Sequence, residues 1–283
     1  MIDHRTKRKI VDRIMLWACG LAALAAAAPL VSLILYVLFQ GLNRFDLAFF
    51  THLPAPVGEP GGGMANAIVG TLTLVTVASA TGLPVGIFAG VYLAEFGKGG
   101  RFAGLVRFTS DVLSGVPSIV TGIVAYGLVV RPMGRFSAVA GGIALGFMMI
   151  PVVTRTTEEL VKMVPNSLRE ASLALGVTQW RTILSIVMRT ARNGILTGVM
   201  LAIARISGET APLLFTSFGN QFWAQGVDQP TASLTVQVFT YAISPFEDWH
   251  DQAWSGALVL LLIVLSINAA AKIFFKNPRQ LLR

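Results

Sequence analysis

The sequence predicts an all-α membrane protein with six transmembrane helices, and three observations support this fold class. First, 54% of the 283 residues are hydrophobic and only 13% are charged, whereas a soluble domain carries roughly 25% charged residues. Second, six stretches are apolar over all or nearly all of the about 20 residues that a helix needs to cross a bilayer. Third, Lys and Arg are concentrated in alternate loops between these stretches. This composition excludes an ordinary soluble enzyme.

The six predicted spans are residues 14–39, 65–93, 108–130, 137–153, 194–216 and 254–275. A basic tail, residues 1–13, precedes the first span as in a secretory signal, but the apolar run is far longer than a signal core of ~7 to 15 residues. We therefore expect a retained anchor. Because only helices and closed barrels satisfy every backbone group in lipid, residues 14–275 are expected to form one helical bundle, followed by a tail at 276–283.

The positive-inside rule predicts that both termini are cytoplasmic. Eighteen of the 22 Lys and Arg residues fall in the two tails, at Lys272 near the end of the last span, and in the loops that follow the second and fourth spans. The opposite side carries only Arg44, Arg131 and Arg135. The net charge of +8 is thus explained by orientation and by contact with anionic lipid headgroups, and no nucleic-acid partner is needed.

Cysteine and histidine patterns exclude several kinds of site. The single cysteine, Cys19, lies in an apolar run, so neither a disulfide framework nor a Cys-based zinc site is expected. No Ser/His/Asp or metal-ligand cluster is present, because the three histidines are dispersed outside the spans: His4, His52 and His250. The chain also lacks the G-x-x-x-x-G-K-[ST] loop that cradles nucleotide phosphates. We expect it to bind no metal or cofactor.

Five of the six spans contain one proline each, at Pro29, Pro84, Pro117, Pro151 and Pro212. Kinks or breaks are expected there, although membrane helices tolerate proline more readily than soluble ones do. The third span gathers several helix-weakening residues in the turn 114–118, which is Ser-Gly-Val-Pro-Ser. Unwound backbone at membrane depth is tolerated where it lines a cavity, so this turn is a candidate pathway wall. On the second span, glycines spaced by four predict close helix packing: Gly82, Gly86 and Gly90.

An arginine and a glutamate lie four residues apart on the fifth span. Because residues at i and i+4 share one helix face, Arg205 and Glu209 are expected to pair near mid-membrane. A central charge costs at least ~2.5 to 3.5 kcal/mol, so the guanidinium must face the bundle interior or water. One interpretation is a salt bridge that only holds the helix. The other is a site where Arg205 binds a tetrahedral oxyanion and Glu209 holds the guanidinium between passages, with weaker help from Ser207 and Thr210.

A second acidic residue lies within a predicted span. Asp111 is near the cytoplasmic end of the third span, four residues after Arg107. It is either hydrated or paired with Arg107, or it takes part in the pathway.

The cytoplasmic loop at 158–192 carries the start and stop signals of a short helix. Ser167 and Glu170 match a capping box, and Gly176 is placed to end the helix in a left-handed conformation. The helix would present a small apolar ridge formed by Leu168, Ala171 and Leu175. Such a ridge suits a partner's groove, although a loop that only connects two spans is the alternative.

Two further loop segments have recognisable patterns. The first has apolar residues at helical spacing with arginines between them, which suits a helix lying along the membrane surface: Trp180, Ile183, Leu184, Val187 and Met188. The second is the Gly-rich stretch 58–63 on the opposite side, which predicts a flexible linker.

The cytoplasmic loop resembles that of the permease subunits of bacterial ABC importers, which carry E-A-A-x-x-x-G followed after nine residues by I-x-L-P. This chain has Glu170, Ala171 and Gly176 in place, and it departs from the motif at Ser172, Met188 and Arg189. Other stretches are similar, more specifically, to the A-type permease family of high-affinity phosphate importers: 111–120, 202–216, 220–223 and 244–246. The resemblance covers most of the chain from Ala65 onward and is weak in the first span.

The resemblance implies a type I ABC importer permease bundle in the bacterial cytoplasmic (inner) membrane. Its partners would be a second homologous permease, a dimer of cytoplasmic ATPases that uses ATP and Mg, an extracytoplasmic phosphate-binding protein, and lipid. The ATPase would contact the loop helix at Leu168, Arg169, Glu170, Ala171, Leu175 and Gly176. The phosphate pathway would include Arg205, Ser207, Glu209, Thr210 and Asp111. The alternatives are an importer of another oxyanion such as sulfate or molybdate, a secondary anion carrier, and a membrane-embedded enzyme.

Overall fold

The computed structural model describes residues 4–56, 59, 61–97 and 99–274, and within these ranges the regular secondary structure is helical. The helices are α1 (His4–Gly41), α2 (Leu47–Thr51), α3 (Ala65–Glu95), α4 (Arg101–Gly115), α5 (Ser118–Met133), α6 (Ala138–Lys162), α7 (Asn166–Ala174), α8 (Gln179–Ser207), α9 (Ala211–Leu214), α10 (Leu234–Ala242) and α11 (Glu247–Phe274). The predicted tail at 276–283 lies outside the described residues. The basic tail before the first span is helical from His4 onward and continues into α1 without a break.

Within the described residues, five helices are long and apolar enough to cross a membrane, namely α1, α3, α6, α8 and α11. The pair α4 and α5 would make a sixth span, but the two helices are bent by 110° relative to each other. The all-α membrane fold is therefore confirmed, whereas the predicted third span at 108–130 is not one continuous helix. Its break follows Gly115, where Val116 is extended because the ring of Pro117 disfavours helical backbone in the preceding residue.

The other four prolines divide between continuous and interrupted helices. Pro29, Pro84 and Pro151 lie inside α1, α3 and α6, which run on past them. Pro212 lies instead in the first turn of the short helix α9, after the end of α8. Proline therefore interrupts two of the five spans that contain it.

The fifth span is displaced toward the amino terminus relative to its prediction. The helix α8 begins at Gln179 and ends at Ser207, rather than covering 194–216. The segment 180–188 is the first part of this same helix, so the prediction of a separate helix along the membrane surface is wrong. Within it, Ile183 and Val187 are buried in the bundle core, and Trp180 and Leu184 are exposed.

The core of the bundle is the contact between α3 and α6. Gly82, Gly86 and Gly90 form the buried stripe of α3 that faces α6. A Cβ added at Gly90 would lie 2.6 Å from the Cβ of Thr157, which is closer than van der Waals contact allows. These glycines therefore let two long helices approach closely, as their spacing predicts.

The Gly-rich segment before α3 is held by α11, so the prediction of a flexible linker is wrong for its described residues 61–63. The Nε2 of Gln252 donates to the carbonyl of Gly61 over 2.7 Å. Asp248 accepts from the backbone N–H of Gly61 and forms an ion pair with Arg44. This network ties the connection between α1 and α3 to the start of α11.

Candidate functional site

Arg205 lies in the last turn of α8, on the side of the helix that faces away from the rest of the chain. Its neighbours Ala202 and Ile206 are 1% and 2% exposed, whereas the Arg205 side chain is exposed. At about 1.5 Å per residue, Arg205 is about 20 Å along α8 from Arg192, so a bilayer that begins at Arg192 and has a hydrocarbon core of about 30 Å would contain Arg205. A guanidinium at that depth requires water or a polar partner.

The predicted ion pair between Arg205 and Glu209 is not formed. The helix ends at Ser207, so the two residues do not share a helix face, and no salt bridge joins them in the described structure. The cause is local: Pro212 has no N–H to bond the carbonyl of Gly208, and its ring would collide with that carbonyl in a continuing helix. Gly208 itself favours an end to the helix, because glycine is a poor helix former.

The breaks in the third and fifth spans lie close to each other. Gly122 on α5 packs against Pro212 on α9, and a Cβ added at Gly122 would lie 2.7 Å from the Cα of Pro212. The hydroxyl of Thr235, at the start of α10, donates to the carbonyl of Glu209 over 3.0 Å. The unwound backbone at 208–210 is therefore bonded by α10 and followed by α9, which packs against α5. Membrane proteins tolerate unwound backbone where it borders a cavity.

The remaining predicted pathway residues differ in their accessibility. Glu209 and Thr210 are partly exposed beside the break. Ser207 is only 3% exposed, and its hydroxyl donates to the carbonyl of Ile203 over 2.8 Å. The expectation that Ser207 offers a free hydrogen bond beside Arg205 is therefore wrong.

Asp111 pairs with a residue that the sequence did not indicate. Its Oδ1 lies 3.3 Å from a terminal nitrogen of Arg155 on α6, and both side chains are about half exposed. The expected partner Arg107 instead contacts Glu158, with its Nε 2.8 Å from Oε1. Asp111 thus links α4 to α6 at an exposed position.

The helix α7 confirms the predicted stop signal and corrects the predicted start. It begins at Asn166 after Pro165, so Ser167 lies inside the first turn and the capping box is not formed. At the other end Gly176 is left-handed, with φ of 76°. Its N–H bonds the carbonyl of Leu173, and the N–H of Val177 bonds that of Ser172, which together form a Schellman cap.

The predicted apolar ridge of α7 points away from the bundle. Leu168 is 41% exposed and Leu175 is 84% exposed, and Ala171 and Glu170 are exposed beside them. Next to this ridge, α7 is attached to α8 by a buried hydrogen bond of 2.8 Å between the hydroxyls of Ser172 and Thr182.

Arg169 differs from the other predicted α7 contacts, because it points into the bundle. Two of its nitrogens bond Glu95 at the end of α3, the shorter contact being 2.7 Å. A guanidinium nitrogen also donates to the carbonyl of Val161 over 2.9 Å. The two charged side chains are 17% and 8% exposed. Glu95 was not recognised from the sequence, since nothing local in the chain connects it to a residue 74 positions later.

Comparison with known proteins identifies a family of transport proteins. Residues 82–280 match the family described as binding-protein-dependent transport system inner membrane component. The chain is 47% identical to the phosphate transport system permease protein PstA of Yersinia pestis, over 87% of this chain and 85% of that protein. It is 42% identical to PstA of Haemophilus influenzae, over 96% of each. It is 35% identical to a probable PstA of Methanocaldococcus jannaschii, over 99% of each.

Two solved transporters share the fold at low sequence identity. A bacterial ABC transporter involved in the import of the acidic polysaccharide alginate aligns with a TM-score of 0.66 and 13% identity, over 99% of this chain and 100% of that chain. The MetNI methionine ABC transporter, in an inward-facing conformation, aligns with a TM-score of 0.59 and 16% identity, over 75% of this chain and 96% of that chain.

Proposed function

Because the chain belongs to the binding-protein-dependent transport system inner membrane components and, within them, to the PstA phosphate transport permeases, we propose that Arg205 lines its phosphate pathway and that α7 couples that pathway to an ATPase. The chain is the permease of a phosphate ABC transporter, a multi-pass inner membrane protein with a transport role rather than a catalytic one. The ABC permease family works with ATPase and binding-protein partners.

The exposed guanidinium of Arg205 is the observation that carries the pathway proposal. It lies between the buried residues Ala202 and Ile206, on the side of α8 that also exposes Leu201 and that this chain does not cover. A second, homologous permease subunit would cover that side and enclose a conduit between the two chains. The guanidinium offers five donors in a planar fork, which suits the oxygens of phosphate. Glu209, Thr210 and the unwound backbone at 208–210 would form the adjoining wall, and Asp111 would lie toward the cytoplasmic mouth.

The proposed coupling follows from the two sides of α7. The outer ridge, formed by Leu168, Ala171 and Leu175, would lie in a groove of the ATPase, beside Glu170. The inner side would transmit movement to the bundle, because Arg169 is bonded to Glu95 on α3 and Ser172 is bonded to Thr182 on α8. Arg169 would therefore position α7 on the bundle rather than contact the ATPase. Gly176 would contribute by ending the helix.

The orientation and the stoichiometry are parts of the same proposal. The positive-inside rule puts α7 and both termini in the cytoplasm, where a dimer of ATPases would dock. An extracytoplasmic phosphate-binding protein would then deliver phosphate to the opposite side. Only 6% of the apolar part of α1 is buried, so this helix would face lipid.

The family membership favours phosphate over sulfate or molybdate as the substrate. It also argues against a carrier driven by an ion gradient, because ABC permeases work with ATPases.

Uptake of radiolabelled phosphate by the reconstituted complex tests the pathway proposal, with unlabelled sulfate and molybdate as competitors. Arg205→Gln should abolish uptake while the ATPase still co-purifies. The matched control is Arg192→Gln, an exposed arginine on the same helix, which should leave uptake unchanged. Normal uptake by Arg205→Gln would refute the pathway role.

A further inference from the structure

A cavity of about 400 Å³ lies where the end of α3, the start of α4, the end of α6 and the start of α7 meet. Its volume falls in the range of about 300–1,000 Å³ that is usual for small-molecule sites. The charged and amide side chains that line it are Glu95, Arg107, Lys162, Asn166 and Arg169. The cavity is on the same side of the bundle as α7, far from the exposed guanidinium of Arg205.

A buried carboxylate fixes two of the cations. Glu158 is only 4% exposed, and its Oε1 accepts from Arg107 over 2.8 Å and from Lys162 over 2.6 Å. Because both cations bond the same oxygen of Glu158, Arg107 and Lys162 are held next to each other. The single negative charge of Glu158 neutralises only one of their two positive charges. The lining groups and Glu158 together carry three positive and two negative charges, so the site has a positive excess.

Several hydrogen-bond donors of the lining remain unused in the described structure. Arg107 uses two of its five N–H groups, on Glu158 and on the carbonyl of Leu93. Lys162 uses one of three, and it is 52% exposed. Asn166 accepts from Arg169 through its Oδ1, which leaves its NH₂ group as a donor. The unused donors therefore come from three helices, α4, α6 and α7.

We propose that this cavity binds a phosphate group, carried by free inorganic phosphate or by a lipid headgroup. The guanidinium of Arg107, the ammonium of Lys162 and the amide of Asn166 line the cavity from three different helices. Together these donors suit a tetrahedral group with several acceptor oxygens and at least one negative charge. A carboxylate has two oxygens in one plane and would satisfy fewer of these donors. This proposal rests on the proposed function in one respect only, the orientation in the membrane. In that orientation the cavity is on the cytoplasmic side, where imported phosphate is released.

The test measures binding of radiolabelled inorganic phosphate to the permease–ATPase complex without its binding protein, in nanodiscs of zwitterionic lipid. Every sample carries Arg205→Gln, so that the proposed pathway does not contribute. Lys162→Gln removes one cation and leaves Glu158 paired with Arg107, so the fold should persist. Its matched control is Arg192→Gln, and Lys162→Arg restores the charge. A parallel arm measures retained phosphatidylglycerol by native mass spectrometry of the same complexes, after purification from membranes containing that lipid.

We expect Lys162→Gln to weaken binding about tenfold relative to Arg192→Gln, which is the loss expected for one charge-assisted hydrogen bond. A decrease in phosphate binding identifies the free anion, and a decrease in retained phosphatidylglycerol identifies the lipid headgroup. The proposal is overturned if neither ligand binds, or if Lys162→Gln binds both as well as the control does. Failure of the proposed function would appear elsewhere, as normal uptake by the complex with Arg205→Gln alone.

Discussion

The guanidinium of Arg205 lies on a side of α8 that the chain itself leaves uncovered. The sequence marks this residue as a charge that needs a polar environment, because the cost of burying arginine in lipid does not depend on the fold. Its expected partner was wrong, because the pairing with Glu209 assumed an uninterrupted helix. Gly208 and Pro212 were visible in the sequence, and together they mark the end of α8 at Ser207.

Arg169 and Glu95 form the least exposed ion pair that joins two helices distant in the sequence. The Arg169→Met variant leaves the Glu95 carboxylate without its cation, so we expect unfolding of the permease to become about 3–5 kcal/mol more favourable. Thermal unfolding of the purified protein would detect the change as a lower midpoint. Arg189→Met, which removes an exposed arginine on α8, is the control and should shift the midpoint little. Equal midpoints for the two variants would contradict a structural role for the pair.

The two helices α3 and α4 show why breaks could be predicted only in part. The sequences Gly82-Leu83-Pro84 and Gly115-Val116-Pro117 have the same spacing, yet α3 runs on while α4 ends. Gly82 is buried against Gly146 of α6, and packing along α6 holds α3 straight. The residues around Gly115 are mostly exposed and have no such support. The difference arises from tertiary packing, which local sequence does not reveal.

The contact between α5 and α9 holds the two breaks together, and Gly122 makes that contact possible. In Gly122→Val the new side chain would meet the backbone of Pro212, so α5 and α9 must separate. We expect phosphate uptake to fall at least about tenfold while the complex still assembles, because a small displacement at a binding site costs that much or more. Gly127→Val on the same helix is the control, since a Cβ there meets nothing within 4 Å. Similar uptake by both variants would show that the contact is unimportant for transport.

Large apolar side chains are exposed on most of the described helices, as is usual for a bundle whose outer surface contacts lipid. Composition and loop charges predicted a multi-pass helical bundle, because the bilayer restricts what can span it. They could not predict which helix faces meet each other, and so they missed the link from Arg169 to Glu95 and the shared contacts of Glu158. The link from Arg169 to Glu95 joins residues 74 positions apart, and the link from Arg107 to Glu158 joins residues 51 positions apart.

Assembly with the ATPase should depend on the outer side of α7. Glu170→Lys places a positive charge beside the exposed ridge without touching the contacts of Arg169, so the fold should be preserved. We expect the amount of ATPase that co-purifies with the permease, and the phosphate-stimulated hydrolysis of ATP, to decrease at least severalfold, as for a charge introduced into an interface. Glu159→Lys, at an exposed position near the end of α6, is the control. Unaltered co-purification with full hydrolysis in Glu170→Lys would argue against docking at this helix.

The central claim is that the positive charge of Arg205 lines a water-filled phosphate conduit, and chemical restoration of that charge tests it most directly. The assay uses the assembled transporter with Cys19→Ala, which removes the native thiol, and with Arg205→Cys. Phosphate uptake should be lost, and a cationic aminoethyl thiosulfonate should restore part of it, whereas an anionic sulfonatoethyl reagent should not. Leu24→Cys, on the exposed surface of α1, should not react. The claim is contradicted if the thiol at position 205 is as unreactive as that at position 24, or if uptake is normal without the guanidinium.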